Sequence, residues 1–222
     1  LFGRILCADG SLGSRTALFH EPYADQPGSS GTRTIEADRF RRLVTAADAA
    51  GLQVAVHAIG DRAVDKVLQM YADLAANSSS SGSSAEQQQQ QQQQQQGQQQ
   101  QQQQGQQRRR APHRIEHVQH ISGPAAAARM AAAGVAVTPN PLHLLADVGV
   151  LQARLGAERA GAGRAYAFRT LVEAGVTAAF ASDWPVVPLE PLAGASWLRL
   201  LGCPLTGRQR MAGQHWCLQA CH

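Results

Sequence analysis

Five short apolar runs separated by helical segments constrain this chain more than any other feature. Arg4 to Ala8, Leu52 to Val56, Ile115 to Val118, Val135 to Thr138 and Val176 to Ala181 have the length and composition of strands, and turn residues bound most of them. The intervals read as helices. Thr34 to Ala50 carries Leu43, Ala46, Ala47 and Ala50 on one face, with Thr34 as its cap and Gly51 as its stop. Asp61 is placed to cap a second helix running to about Ala76, Gly123-Pro124 opens a third to Ala133, and Arg164 to Ala174 forms a fourth before Gly175. Strict strand–helix alternation predicts an α/β fold with parallel strands joined by crossover helices. The apolar character of the strands predicts burial on both faces.

A complete (β/α)8 barrel takes about 250 residues. This chain has 222, and residues 77–110 are a Ser, Gln and Arg tract. The tract has almost no apolar side chains with which to bury surface, so it is expected to be disordered, an expanded surface loop between a helix and the next strand. The chain begins with Leu1, and its first ten residues read as the interior of a fold. A partial barrel from a fragment is therefore expected: residues 1–76 as its first part, 77–110 as the insert, 111–200 as its second part and 201–222 as an unpatterned tail.

Charge and cysteine content exclude several classes. Twenty Lys+Arg against sixteen Asp+Glu give +4, and Arg108, Arg109 and Arg110 lie in the tract. The nearly neutral body carries no nucleic-acid footprint. No run of about 18 apolar residues occurs, so no membrane-spanning helix is expected. Four cysteines are too sparse for a disulfide scaffold, and a reducing compartment, cytoplasmic by default, is the expectation.

In parallel α/β folds function gathers at the carboxyl ends of the strands. Those ends carry Asp9, His57, His117, Asn140 with His143, and Asp183. Two histidines and an aspartate from different strand ends suit a mononuclear hydrolytic metal site, with the carboxylate taking a proton from water. Each residue alone also fits a quieter role: a hydrogen-bonded core histidine for His57, a loop cap for Asp183. In the run from His113 to His120, Arg114 and Glu116 read as an ion pair, and alternation sends His117 to the face opposite Glu116. His120, beyond the strand end, reads as a loop or surface histidine.

Five segments in order then define a resemblance: ADGSLGSRTALFHEPYAD (residues 8–25), VHAIGDRAV (56–64), RIEHVQH (114–120), RAYAFRTLVEAGV (164–176) and ASDWPV (181–186). Together they resemble amidohydrolase family 3, metal-dependent hydrolases similar to N-substituted formamide deformylase. The resemblance implies a distorted (β/α)8 barrel, with the strands here corresponding to the fourth through eighth. It implies that His57, His117 and Asp183 bind a divalent metal, zinc being the expected one, and that Asp183 also moves protons. It implies that His143 lies near a small-molecule amide substrate. Two departures stand out. A first-strand His-x-His would precede Leu1, and Ile5 occupies the position where many relatives carry a lysine, so a carbamylated-lysine bridge between two metals is not available. The expected activity is hydrolysis of non-peptide C–N bonds by metal-activated water, with this fragment holding half of the site. The alternative is a non-catalytic descendant that uses the Gln-rich arm for interactions.

Overall fold

The computed structural model describes residues 5–76 and 111–190, together with 193, 194 and 196. The Gln-rich tract and the C-terminal tail singled out in the sequence lie outside them.

The elements in chain order are β1 (Ile5–Cys7), α1 (Ala37–Ala49), β2 (Ala55–Ala58), a helix α2 over residues 61–76, β3 (Arg114–His117), α3 (Pro124–Ala132), β4 (Ala136–Thr138), α4 (His143–Asp147), α5 (Leu151–Arg159), α6 (Phe168–Glu173) and β5 (Thr177–Ala178). The strands form one parallel sheet in the order β1-β2-β3-β4-β5. Sequential order with every pairing parallel is the topology of a (β/α)8 barrel rather than of a doubly wound sheet, whose order reverses at a switch point. The chain is thus α/β and forms part of such a barrel, and the segments on either side of the tract join through the β2–β3 ladder.

Register explains how the sheet packs. Leu6, Val56, Ile115 and Val137 align in one row across β1 to β4. Val56, Ile115 and Val137 are buried, in one core with Val64, Val67 and Leu68 of α2, Ala127 and Met130 of α3, and Leu171 of α6. Each large side chain fully buried there contributes roughly 1.5–3 kcal/mol. The neighbouring row is Cys7, His57, Glu116 and Thr138. These four are only partly buried. Burial on both faces, expected from the apolar strands, is thus complete in the helix-covered row, whereas on the other face, the inside of the barrel, Ala55 and Ala136 are buried and the row nearest the strand ends only partly so.

Several boundaries differ from the sequence reading for local reasons. Helix α1 begins at Ala37, and its N-cap Glu36 makes no side-chain cap bond. Thr34 does not cap it, because its hydroxyl donates to the Cys7 carbonyl and ties the loop back to β1. Asp61 is the first residue of α2 rather than the cap before it, and its carboxylate accepts the His20 backbone N–H at 2.9 Å, which ties the long β1–α1 loop to the helix start. Strand β2 contains His57 instead of ending before it. Helices α4 and α5 were not expected, and α6 starts at Phe168 rather than near Arg164. The last strand keeps only two ladder residues, yet Ala179 and Ala181 donate to the carbonyls of Val137 and Pro139 at 3.0 Å, so the chain still follows β4 toward Asp183.

The β1–α1 loop is fixed by one carboxylate. Asp9 is 2% exposed. It accepts backbone N–H bonds from Leu18 and Gly60 at 2.8 Å and from Ile59 at 3.0 Å. This draws the loop onto the end of β2 so tightly that a Cβ at Gly60 would collide with the Leu18 backbone. Phe19 and Tyr23 of the same loop pack edge to face at 5.3 Å over Leu12, Ile59 and Leu155.

Candidate metal centre

The residues expected to carry chemistry meet at the carboxyl ends of β2 to β5. His117 ends β3 with φ of 70° and is followed by Val118 at 46°, a left-handed pair that side chains with a Cβ rarely adopt. The turn brings its ring to the side of His57, 4.4 Å between ring centres, and beside His143, stacked at 5.7 Å. His143 opens α4 directly after Pro141-Leu142. Asp183 also sits at positive φ, 59°, past the end of β5, and its Oδ2 lies 3.9 Å from His143 Nε2. One ligand atom each from His117, His143 and Asp183 falls within 4.8 Å of the others. His57 packs against this set from the β2 side. Its Nε2 faces the Gly10 carbonyl at 3.1 Å and Asp9 Oδ1 at 3.5 Å.

The environment prepares these groups unequally. Burial, then the neighbouring His57 and His143, holds His117 well below its ordinary pKa, with the Asn140 hydrogen bond acting the other way. Burial pushes His143 down to about 4. Both rings are neutral near pH 7 and offer lone pairs. For His57 burial is the largest influence and lowers the pKa, but Asp9, the Gly10 carbonyl and Asp183 together raise it above the usual value. Burial raises the Asp183 carboxyl, opposed by His57 and assisted by Glu116.

These donors fit a divalent ion. Two neutral imidazoles and a carboxylate are the ligand types of hydrolytic zinc sites, whose donors stand about 3.4 Å apart around a tetrahedral ion. His143 Nε2 is buried and, among the described residues, has no hydrogen-bond partner. An unpaired nitrogen beside a carboxylate is what a bound cation or a hydrogen-bond donor of a substrate would satisfy.

The other polar residues of the same segments divide differently. Glu116 pairs with Arg114 at 2.9 Å, as the sequence suggested, and is outside the donor cluster. His113 accepts the Val54 N–H and contacts Asp48, which makes it structural. His120 is not a surface histidine. It is 2% exposed, enclosed by Phe19 at 5.1 Å and Tyr166 at 5.9 Å between ring centres, because the β1–α1 loop folds over it. Sequence reasoning missed the triangle of Gln119, Asp147 and Tyr166. Gln119 Nε2 donates to Asp147 at 2.8 Å, Tyr166 OH donates to Asp147 at 2.6 Å, and Gln119 Oε1 lies 3.5 Å from His143 Nδ1. Gln119 lies two residues past His117, but Asp147 and Tyr166 had no local signal.

A parallel sheet with a His, His and Asp cluster beside its strand ends is an arrangement able to hold a divalent metal on a partial barrel. The sequence matches the Amidohydrolase family over residues 5–202, and the chain belongs to that family. It is 36% identical over 184 residues to Protein LONG AFTER FAR-RED 3 of Arabidopsis thaliana, a match covering 83% of this chain and 26% of that protein. It is 31% identical over 189 residues to YtcJ of Bacillus subtilis, which carries an amidohydrolase name, covering 84% of this chain and 29% of that one. An uncharacterized metal-dependent hydrolase from Pyrococcus furiosus superposes with a TM-score of 0.67 at 28% identity, covering 89% of this chain and 34% of that one. Its counterpart from Pyrococcus horikoshii OT3 gives 0.66 at 28% identity, with 90% and 34% covered. The chain thus spans between about a quarter and about a third of the length of these relatives.

Proposed function

We propose that this chain supplies the second half of a zinc-dependent site that hydrolyses non-peptide C–N bonds in small amide substrates. The observation that carries the reading is that His117 and Asp183 converge with His143 within 4.8 Å, with His57 packed 4.4 Å from His117 between ring centres, in a chain of the amidohydrolase family. His57, His117 and Asp183 hold the ion in this reading, and His143 borders the substrate. When bound, the zinc supplies a Lewis acid that polarises the substrate carbonyl and eases deprotonation of water. Asp183 takes the proton of the attacking water and delivers it to the leaving amine. His143, neutral at pH 7, keeps Nε2 turned toward Asp183 and is placed to meet the reacting group. His57, held by Gly10 and Asp9, keeps its other ring nitrogen, Nδ1, for the ion.

The test is metal analysis and turnover of N-substituted formamides for the longest natural chain carrying this sequence and for four variants. His57→Ala, His117→Ala and Asp183→Ala are expected to lose metal, whereas His143→Ala keeps it and loses turnover by about 10²-fold or more. Loss of metal from His143→Ala with retention by His57→Ala would exchange their roles. Metal binding unaffected by all four would overturn the reading.

A further inference from the structure

We propose that Asn140 is a positioning residue that fixes the tautomer and aim of His117; the inference rests on the reading of His117 as a metal ligand. Asn140 is 2% exposed, and its Oδ1 lies 2.8 Å from His117 Nδ1. A carboxamide oxygen only accepts, so Nδ1 carries the ring proton and donates it. Nε2 is then the lone pair, and the ring cannot rotate about χ2 without breaking a buried hydrogen bond. Both partners being enclosed, that loss would leave a donor and an acceptor unsatisfied.

The backbone around Asn140 is built to hold that oxygen still. Pro139 and Pro141 flank it; Pro141 restricts Asn140 to extended conformations and Pro139 fixes its own φ. The same three residues reach the other two members of the cluster. The Asn140 carbonyl accepts the His143 N–H at 3.1 Å, and the Pro139 carbonyl accepts the Ala181 N–H at 3.0 Å, two residues before Asp183. One rigid tripeptide thus ties His117 through a side chain, His143 through the first turn of α4, and the Asp183 segment through a strand-like bond. An outer hydrogen bond of this kind orients the ring, raises the basicity of the ligating nitrogen, and typically changes metal affinity 10–100-fold when removed.

The experiment uses Asn140→Ala, Asn140→Asp and His117→Ala, with Co2+ affinity measured by chelator competition and the ring protonation of His117 read from ¹⁵N–¹H spectra of the metal-free wild-type protein. The spectrum is expected to show the Nδ1–H tautomer. Asn140→Ala is expected to weaken Co2+ binding about 10–100-fold. Asn140→Asp, which keeps an acceptor at the same place, restores binding to within a few-fold of wild type. Wild-type Co2+ affinity in Asn140→Ala, failure of Asn140→Asp to rescue, or an Nε2–H tautomer in the wild type would each overturn the proposal. His117→Ala separates the two levels: if it too leaves Co2+ affinity unchanged, His117 is not a ligand and the functional reading fails; if it abolishes binding while Asn140→Ala does not, only the role of Asn140 fails. Should Asn140→Ala unfold, the wild-type tautomer and the aspartate variant still decide.

Discussion

Replacing His120 with leucine tests the buried environment of the site's flank through its pH dependence. His120 is enclosed by Phe19 and Tyr166, and among the described residues neither ring nitrogen has a hydrogen-bond partner. Burial, assisted by the nearby Arg159 guanidinium, pushes its pKa down to about 3. The folded value lies below the unfolded value of about 6.5, so between them the unfolded chain binds a proton that the folded chain does not. The neutral ring costs nothing by linkage above about pH 6.5, and stability falls as pH drops toward 3. The expected loss is about 2 kcal/mol at pH 5, relative to pH 7, and about 4 kcal/mol at pH 3. Leucine has nearly the volume of histidine and does not titrate, so His120→Leu removes this term while other ionisable groups cancel in the comparison. At pH 7 the variant stays within about 1 kcal/mol of wild type, since an unpaired polar group is exchanged for an apolar one. Urea unfolding followed by far-UV circular dichroism at pH 7, 6 and 5 gives the difference at each pH. The variant is expected to gain about 2 kcal/mol on wild type between pH 7 and 5. A difference that stays constant over that range would mean that His120 has a polar partner or titrates normally, and the packing argument would be refuted.

Two further outcomes are expected. Asp9→Ala orphans the N–H groups of Leu18, Ile59 and Gly60 and should lower stability by about 3–5 kcal/mol, whereas Asp9→Asn, keeping one acceptor oxygen, loses about half as much; urea midpoints compare them. Tyr166→Phe removes the hydroxyl shared by Asp147 and Gln119 and should cost about 1–2 kcal/mol in the same assay, with the aromatic contact to His120 retained.

What was legible in the sequence followed from rules that act over a few residues. The apolar runs marked all five strands, and Gly123-Pro124 marked the start of α3. Helices α4 and α5 escaped because α4 is little more than a turn between Pro141 and Gly149, and Gly156, at φ of 74°, interrupts α5. Thr34 and Asp61 have the chemistry of helix caps, but each was recruited by a distant backbone group, the Cys7 carbonyl and the His20 N–H. Nothing near His120 predicted its burial, since the ring that covers it, Phe19, belongs to a loop folded back by Asp9.

The site itself was visible as residue types at strand ends, and it became a cluster only by breaking the rule that located it. In register His117 is opposite Ala58, whose side chain is buried in the helix-covered core, so simple alternation would send the imidazole away from His57. The positive φ at His117 and Val118 turns it back. Four of the five non-glycine residues with positive φ among those described are His117, Val118, Tyr166 and Asp183. Such conformations cost of order 1–3 kcal/mol each and persist only where surrounding contacts enforce them. Here the enforcing contacts are visible: Val118 N–H bonds the Ala58 carbonyl at 3.1 Å, Tyr166 N–H bonds the Gln119 carbonyl at 2.6 Å, and Asn140 holds the His117 ring. Local preference yields to the fold at the residues whose side chains must converge, which is where departures from sequence rules are expected in a functional protein.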